Sequence, residues 1–328
     1  MITVDKKAQP TVEKLAARPT LWQQTNKPTL AMLAVTVAVA LVFSVTTSSF
    51  LTFTNISNLA TQIAPGLMSV GATVAFVAAM SAELIQAGVD SSVVFVAAPL
   101  MGAAWGLVNG WLAAYQGIPP FIVTLATLSI IRGIALYRTE GFSVPITPGT
   151  AFAKLGTASW LGFSASAWIA LAVVIVGAVA LNRTRFGRYV TGIGSNVESV
   201  RRSGVNTRRV LMMTLVFTGL AAGIAGLLIA ARLGSGSANS ANGFELTVIT
   251  AVVLGGTNLF GGRGTVIGTV IGAVLTGIIA NGLTLLGVSP FLTPIITGVV
   301  LLVAIWINMR GHSLASLFKH LQSAPGKQ

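Results

Sequence analysis

Between Val210 and Ala231 the chain carries no charged residue, and the same holds from Trp160 to Leu181. A run of about 20 apolar residues is what a helix needs to cross the hydrocarbon core of a bilayer. A chain built from such runs has few options. In lipid every backbone polar group must be satisfied internally, so spans are helices or strands of a closed barrel. Barrel strands alternate in polarity along short segments, whereas these runs are apolar on all sides. The expectation is an all-α, polytopic transmembrane helical bundle of about nine to ten spans, some short or broken. Composition agrees: 54% of residues are hydrophobic and 8% are charged, against about 25% charged in soluble domains. The 36 glycines suit helices whose backbones pack closely in lipid.

Charge orients the bundle. Asn182–Arg209 holds Arg183, Arg185, Arg188, Arg201, Arg202, Arg208 and Arg209 against one acid, Glu198, a net +6 of the chain's +13. Lys and Arg stay in cytoplasmic loops, so this loop belongs in the cytoplasm and is the natural place for a soluble partner to dock. Residues 1–28 form a tail with net charge +3, read as cytoplasmic. The transmembrane domain covers 29–309, and 310–328 form a second basic, cytoplasmic tail. The basic residues sit in loops and ends as the inside rule expects, which points away from nucleic acid and toward a lipid membrane. Counting apolar runs backward from the arginine loop (Trp160–Leu181, Phe121–Leu136, Val93–Tyr115, Ile63–Met80, Thr29–Thr47) gives five. Five crossings would put the N-terminus outside, against its charge. Either one run is re-entrant, or 58–92 hides two crossings, or a span is missing. Phe121–Leu136 is short for a full span. Tyr137–Ser159, with its proline and glycine content, reads as a polar loop without helix.

Chemistry is sparse. The chain has no cysteine, which excludes disulfides and thiolate chemistry. His312 and His320 lie in the C-terminal tail with no third ligand beside them, so no metal site is expected. No GxSxG, no P-loop and no paired intramembrane aspartates are present. The protein is not expected to be an enzyme or to hold a cofactor, and energy for driven transport would enter through a partner. Glu83, Arg132, Arg232 and Glu245 fall near run ends, where long side chains reach the interface. Gly255–Gly264 (GGTNLFGGRG) reads either as a broken helix at a gate or as a packing hairpin. FIVTLATLSIIRG from Phe121 and FELTVITAVVLGG from Phe244 share the spacing of Phe121, Thr124 and Gly133 with Phe244, Thr247 and Gly256. Duplicated halves with broken helices near the path are a transporter trait; chance matching of apolar sequence is the other reading. Asn109, Asn258 and Asn281 could line a pathway or bond between helices. The candidate translocation-path residues are Asn109, Thr124, Thr247, Gly255, Gly256 and Asn258.

IPPFIVTLATLSIIRGIAL (118–136), TRFGRYVTGIGSNVESVRRSGVN (184–206), GFELTVITAVVLGGTNLFGGRGTVIGTVIGAVL (243–275) and NGLTLLGVS (281–289) closely resemble the membrane subunits of bacterial ribose/xylose/galactose-type ABC importers, the second carbohydrate uptake family. The resemblance implies a multi-pass permease of the bacterial inner membrane. It also implies a second permease subunit, a cytoplasmic ATPase with two nucleotide-binding domains, and a periplasmic solute-binding protein. By position, the family's coupling segment matches Gly192–Asn206, with Gly192, Ser195, Asn196, Glu198, Ser203 and Gly204 on its pattern; an ordinary basic loop is the plain alternative. One departure stands out. Such permeases carry a GGIDLSVGS-like run, and here Gly71–Phe76 passes directly into VAAMSAELIQAG, so that run looks deleted. The functional expectation is the permease subunit of an ABC importer for a sugar or sugar-like solute. The rivals are a carrier or channel working alone and a transport-impaired paralogue with a structural role.

Overall fold

The computed structural model describes residues 21–66, 71–258 and 261–289, with 291, 292, 294–296, 298, 299 and 302. The first 20 residues, His312, His320 and the C-terminal tail lie outside that description. The elements run α1 (Leu21–Thr46), α2 (Phe53–Gly66), α3 (Gly71–Gln86), α4 (Ser91–Ala114), α5 (Pro120–Thr139), β1 (Val144–Pro145), α6 (Ala151–Thr157), β2 (Ser159–Trp160), β3 (Phe163–Ser164), α7 (Ala165–Arg183), α8 (Arg185–Ser195), α9 (Val197–Arg202), α10 (Thr207–Leu233), β4 (Ser235–Gly236), α11 (Phe244–Leu254) and α12 (Val266–Leu285). The strands are two-residue clips, β1 with β4 and β2 with β3. The molecule is the expected all-α polytopic bundle. Helices α4, α5, α7, α10 and α12 are long and apolar enough to cross a membrane, and Met32–Thr46, α3 and α11 are shorter apolar helices.

The centre is a seam between α4 and α10. Gly102, Gly106 and Gly110 recur every fourth residue on α4, so they share one face. That face lies on the backbone of α10. A Cβ on Gly102 would sit 2.2 Å from the Gly219 carbonyl oxygen, and one on Gly106 would sit 2.4 Å from that of Leu215. With no side chain between them the two backbones touch, which is how helices associate where lipid offers no hydrophobic drive. Helix α3 completes the core: Val74, Val77, Ala78 and Ala82 are fully buried with Ala222, Ala225 and Ala230 of α10. The outer faces are apolar too; Phe121, Ile122 and Leu125 of α5 are exposed.

The bundle has two ends. The arginine end holds the C-terminus of α7, α8, α9, the start of α10 and the C-terminus of α4, where Gly110 meets Met212. At the far end Arg138 of α5 pairs with Glu83 of α3 at 2.9 Å, and α6 meets the last turn of α10, Gly156 on Ala231. The β2–β3 clip covers the start of α2 there, with Ser57 Oγ donating to the Gly162 carbonyl at 2.9 Å.

Three expectations change. The apolar run 63–80 is not one span. It divides between α2, which starts at the far end, and α3, which runs back to it, so the pair adds no net crossing. A re-entrant pair and two short crossings within 58–92 both fit this path, and α3 passes without interruption through the interval after Phe76. Second, α5 covers Pro120–Thr139, 20 residues, longer than the run Phe121–Leu136 because Pro120 starts the helix and Thr139 stays buried in its last turn. Third, the loop Tyr137–Ser159 contains α6. Thr150 caps it by accepting from Ala153 N–H, and Phe152 is fully buried, stacked on Phe95 at 5.8 Å. Cap and anchor together outweigh the helix-breaking composition around them.

Candidate functional site

Thr184 ends α7 and caps α8, accepting from the Gly187 amide at 3.2 Å. The reversal is so tight that a Cβ on Gly187 would meet the Leu181 carbonyl oxygen at 1.9 Å. Helix α8 is amphipathic. Phe186 packs edge-on against Phe217 of α10 at 5.5 Å, while Arg185 and Arg188 are exposed. Asn196 ends α8 and caps α9, accepting from the Ser199 amide at 2.9 Å. Glu198 in the first turn of α9 favours the helix dipole and pairs with Arg201 at 2.9 Å and Arg202 at 3.0 Å. These pairs are exposed, so each is worth about 0–1 kcal/mol; their effect is to hold the α9 surface in one arrangement. Gly204 turns the chain at φ +83°, and Asn206 caps α10 on the Arg209 amide at 3.1 Å. Every junction from 184 to 206 is therefore closed by a local cap or glycine. The product is a preformed helix–elbow–helix in which α9 buries no residue. Of the coupling residues read from the sequence, Asn196 and Glu198 build the elbow, Ser203 and Gly204 end α9, and Gly192 approaches Val200 across it.

Ser195 has a second neighbour. After α11, Gly255 caps the helix and Gly256 takes φ +81°. The chain then doubles back, with the Asn258 amide donating to the Arg263 carbonyl at 2.9 Å. Gly261 and Gly262, at φ +92° and +79°, lie on the end of α8. A Cβ on Gly194 would sit 2.5 Å from the Gly262 nitrogen, and one on Gly262 would sit 2.7 Å from Ser195 Oγ. The glycine-rich turn and the coupling segment are thus one structure, a contact across more than sixty residues of sequence that pattern reading missed.

The proposed path residues do not share one place. Gly255, Gly256 and Asn258 lie in the turn that reaches α8, where Gly255 packs on the Gly268 backbone of α12. Asn109 is buried in α4, and its Oδ1 has no hydrogen-bond partner. The Thr124 hydroxyl donates to the Phe121 carbonyl at 3.1 Å. Thr247 lines a cavity of about 360 Å³ between α2, α11, α12 and the residues Pro294 and Gly298, with Gln62, Asn242 and Thr276 on its other walls. Asn281 takes the interhelical role, exchanging two hydrogen bonds with Asn55 at 2.9 and 3.0 Å.

Two charges are set deeper than run ends imply. Arg132 Nη1 donates to Asn242 Oδ1 at 2.8 Å, while its Nε and Nη2 and Glu245 Oε2 are buried without hydrogen-bond partners. Glu245 Oε2 occupies the space a Cβ on Gly71 would need. The signal in the sequence was only that Arg132 and Glu245 are charged residues inside apolar runs; Asn242, in a polar loop, gave none.

Among the described residues the bundle has five membrane-length apolar helices and a basic helix–elbow–helix at one end. The chain belongs to the family described as "Branched-chain amino acid transport system / permease component", whose model matches residues 29–305. Within it the resemblance is to the sugar permeases of ABC systems. The chain is 34% identical over 308 residues to the ribose import permease protein RbsC of Escherichia coli K12, covering 88% of this chain and 94% of that one. It is 36% identical over 289 residues to RbsC of Bacillus subtilis (82% and 89%), and 35% identical over 301 residues to the L-arabinose transport system permease protein AraH of E. coli K12 (87% and 90%). No solved structure matches the chain.

Proposed function

We propose that this chain is the membrane subunit of an ABC importer that carries a sugar or sugar-like solute into the cytoplasm, and that a separate ATPase drives it by docking on α8–α9. The observation that carries this reading is the helix–elbow–helix itself: a rigid, exposed, basic projection that packs on Gly261–Gly262. A partner pulling on α9 therefore loads α7 and α10 through the chain and α11–α12 through the glycine contact. Its positive charge supports a cytoplasmic position for this end. With α2 and α3 adding no net crossing, α1, α4, α5 and α7 return residue 21 to the same side, in keeping with the basic tail. The chain would sit as a multi-pass protein in the inner (plasma) membrane, as one of two permease subunits, and receive solute from a binding protein at the far end. ATP-driven closure of the ATPase then rocks the two subunits and the path alternates. The substrate class follows from the relatives named for ribose and arabinose. No charged side chain lines the cavity among the described residues, which suits an uncharged solute better than a zwitterionic amino acid.

The test is Glu198→Arg combined with Ser203→Val and Gly204→Val, in cells that express the ATPase and binding protein. The expected outcome is loss of ATPase co-purification and of sugar uptake, with the permease still in the membrane. Retention of both refutes docking at α9.

A further inference from the structure

The cavity beside α11 has a mainly apolar wall with a few uncharged polar side chains set into it, one of which touches buried charge. That side chain is Asn242. It is exposed and lines the cavity, and its Oδ1 accepts from Arg132 Nη1 at 2.8 Å. A carboxamide that turns its oxygen to a guanidinium presents its two N–H donors elsewhere, so the arginine sets which end of the amide is available to the cavity. Thr247 follows on α11, and Gln62 of α2 and Thr276 of α12 add further uncharged polar groups. Each hydroxyl of a polyol both donates and accepts, and amides with hydroxyls supply both functions. A charged solute would find no opposite charge on the described lining and would lose hydration without compensation. An acyl chain would satisfy the apolar wall but leave Asn242, Gln62 and Thr247 facing hydrocarbon.

Behind Asn242, Arg132 Nε and Nη2 and Glu245 Oε2 are buried and unpartnered. Ionisable groups inside a membrane bundle are expensive and are retained where a function uses them. Here Gly71 leaves the room that the carboxylate fills, and Asn242, in the loop before α11, accepts from Arg132 of α5.

We propose that Asn242, Thr247 and Gln62 form a subsite for an uncharged polyhydroxylated solute, with Arg132 as the positioning residue that orients the Asn242 amide. This deepens the importer reading and rests on it. Glu245, in the first turn of α11, lies against Gly71 of α3.

Because the chain has no cysteine, Thr247→Cys supplies a single thiol. The full permease, assembled in proteoliposomes with its ATPase and binding protein, is treated with a small methanethiosulfonate reagent, with D-ribose, L-arabinose or L-leucine as probes. The expected result is labelling that one of the sugars slows about fivefold and leucine does not. In uptake assays Asn242→Leu raises the half-saturating sugar concentration by about fivefold to tenfold, the loss expected for one hydrogen bond, with maximal rate and ATPase binding kept. Arg132→Lys retains part of the affinity that Arg132→Met loses, which a purely structural role would not produce. Should Asn242→Leu fail to assemble, the labelling of Thr247→Cys decides. Labelling indifferent to a sugar that the wild-type complex transports overturns the subsite while leaving the importer reading intact. A thiol unreactive under all conditions, with phospholipid retained in the cavity, assigns the space to an acyl chain and also overturns it. Wild-type complex that moves neither sugar overturns the importer reading and the subsite together.

Discussion

Replacing Gly194 by alanine perturbs the link between the coupling helices and the second half of the bundle at a single atom. The new Cβ would lie 2.5 Å from the Gly262 nitrogen, 3.3 Å from its Cα and 3.4 Å from the Gly261 carbonyl carbon. Favourable carbon contacts begin near 3.5 Å, so the turn must retreat by about 1 Å. Overpacking in a closed core costs about 1–3 kcal/mol. Gly194 is exposed and Gly261 and Gly262 are half-buried, so relaxation holds the penalty near the lower value, about 1 kcal/mol. The bundle therefore survives, and what changes is the contact through which motion of α8 reaches α11 and α12. A coupling free energy reduced by that amount lowers coupling about fivefold. The assay is ATP hydrolysed per sugar transported, in proteoliposomes containing permease, ATPase and binding protein. Gly194→Ala should keep ATPase co-purification and raise ATP used per sugar about fivefold. Gly177→Ala in α7, where an added Cβ meets nothing within 4 Å, should leave the ratio unchanged. A wild-type ratio for Gly194→Ala would refute transmission through the glycine contact.

Two further outcomes follow from the geometry. Asn55→Leu leaves Asn281 buried without its two bonds to Asn55 and should destabilise the detergent-solubilised protein by about 1–3 kcal/mol; the double variant Asn55→Leu, Asn281→Leu should recover most of that, measured by thermal unfolding. Asp90 caps α4, and its hydrogen bonds from the Ser92 hydroxyl and amide hold its carboxyl below the usual carboxylate range. A depressed folded-state pKa contributes stability that is present above the unfolded value, about 3.9, and is lost as pH falls through the folded one. The stability gap between wild type and Asp90→Asn should therefore be flat from pH 7 to 5 and shrink below about pH 4.

The helical bundle was legible because uninterrupted apolar length and clustered arginines are local properties of the chain. Where the sequence misled, the deciding contact was remote. The run from Ile63 to Met80 is continuous in polarity, yet it divides between α2 and α3; Pro65 and Gly66 were visible without revealing that α3 runs back to the end from which α2 starts. Phe152 could anchor α6 only because Phe95 and α10 lie over it. Arg132 and Glu245 read as interfacial by their position along the chain, but depth in a bundle also depends on what packs sideways, and Asn242 and Gly71 are distant in sequence. The coupling segment was readable residue by residue through its caps at Asn196 and Asn206. Its second face was not, since nothing in Gly261–Gly262 states what glycine is making room for.

The seam of α4 and α10 has a mechanical consequence. Side-chain interfaces yield by changing rotamers; where Gly102 and Gly106 bring backbone onto backbone there is none to change, and only toward the arginine end does the seam meet a side chain, Met212 at Gly110. Helix α10 has 27 residues and so a length of about 40 Å. Backed by α4 from Met212 to Gly223, it has the form of a strut. A displacement applied beside Arg208 would be carried along α10, and the bundle would yield where packing is less close. Helix α11 is suited to be such a joint: its 11 residues begin and end in glycine beside the cavity.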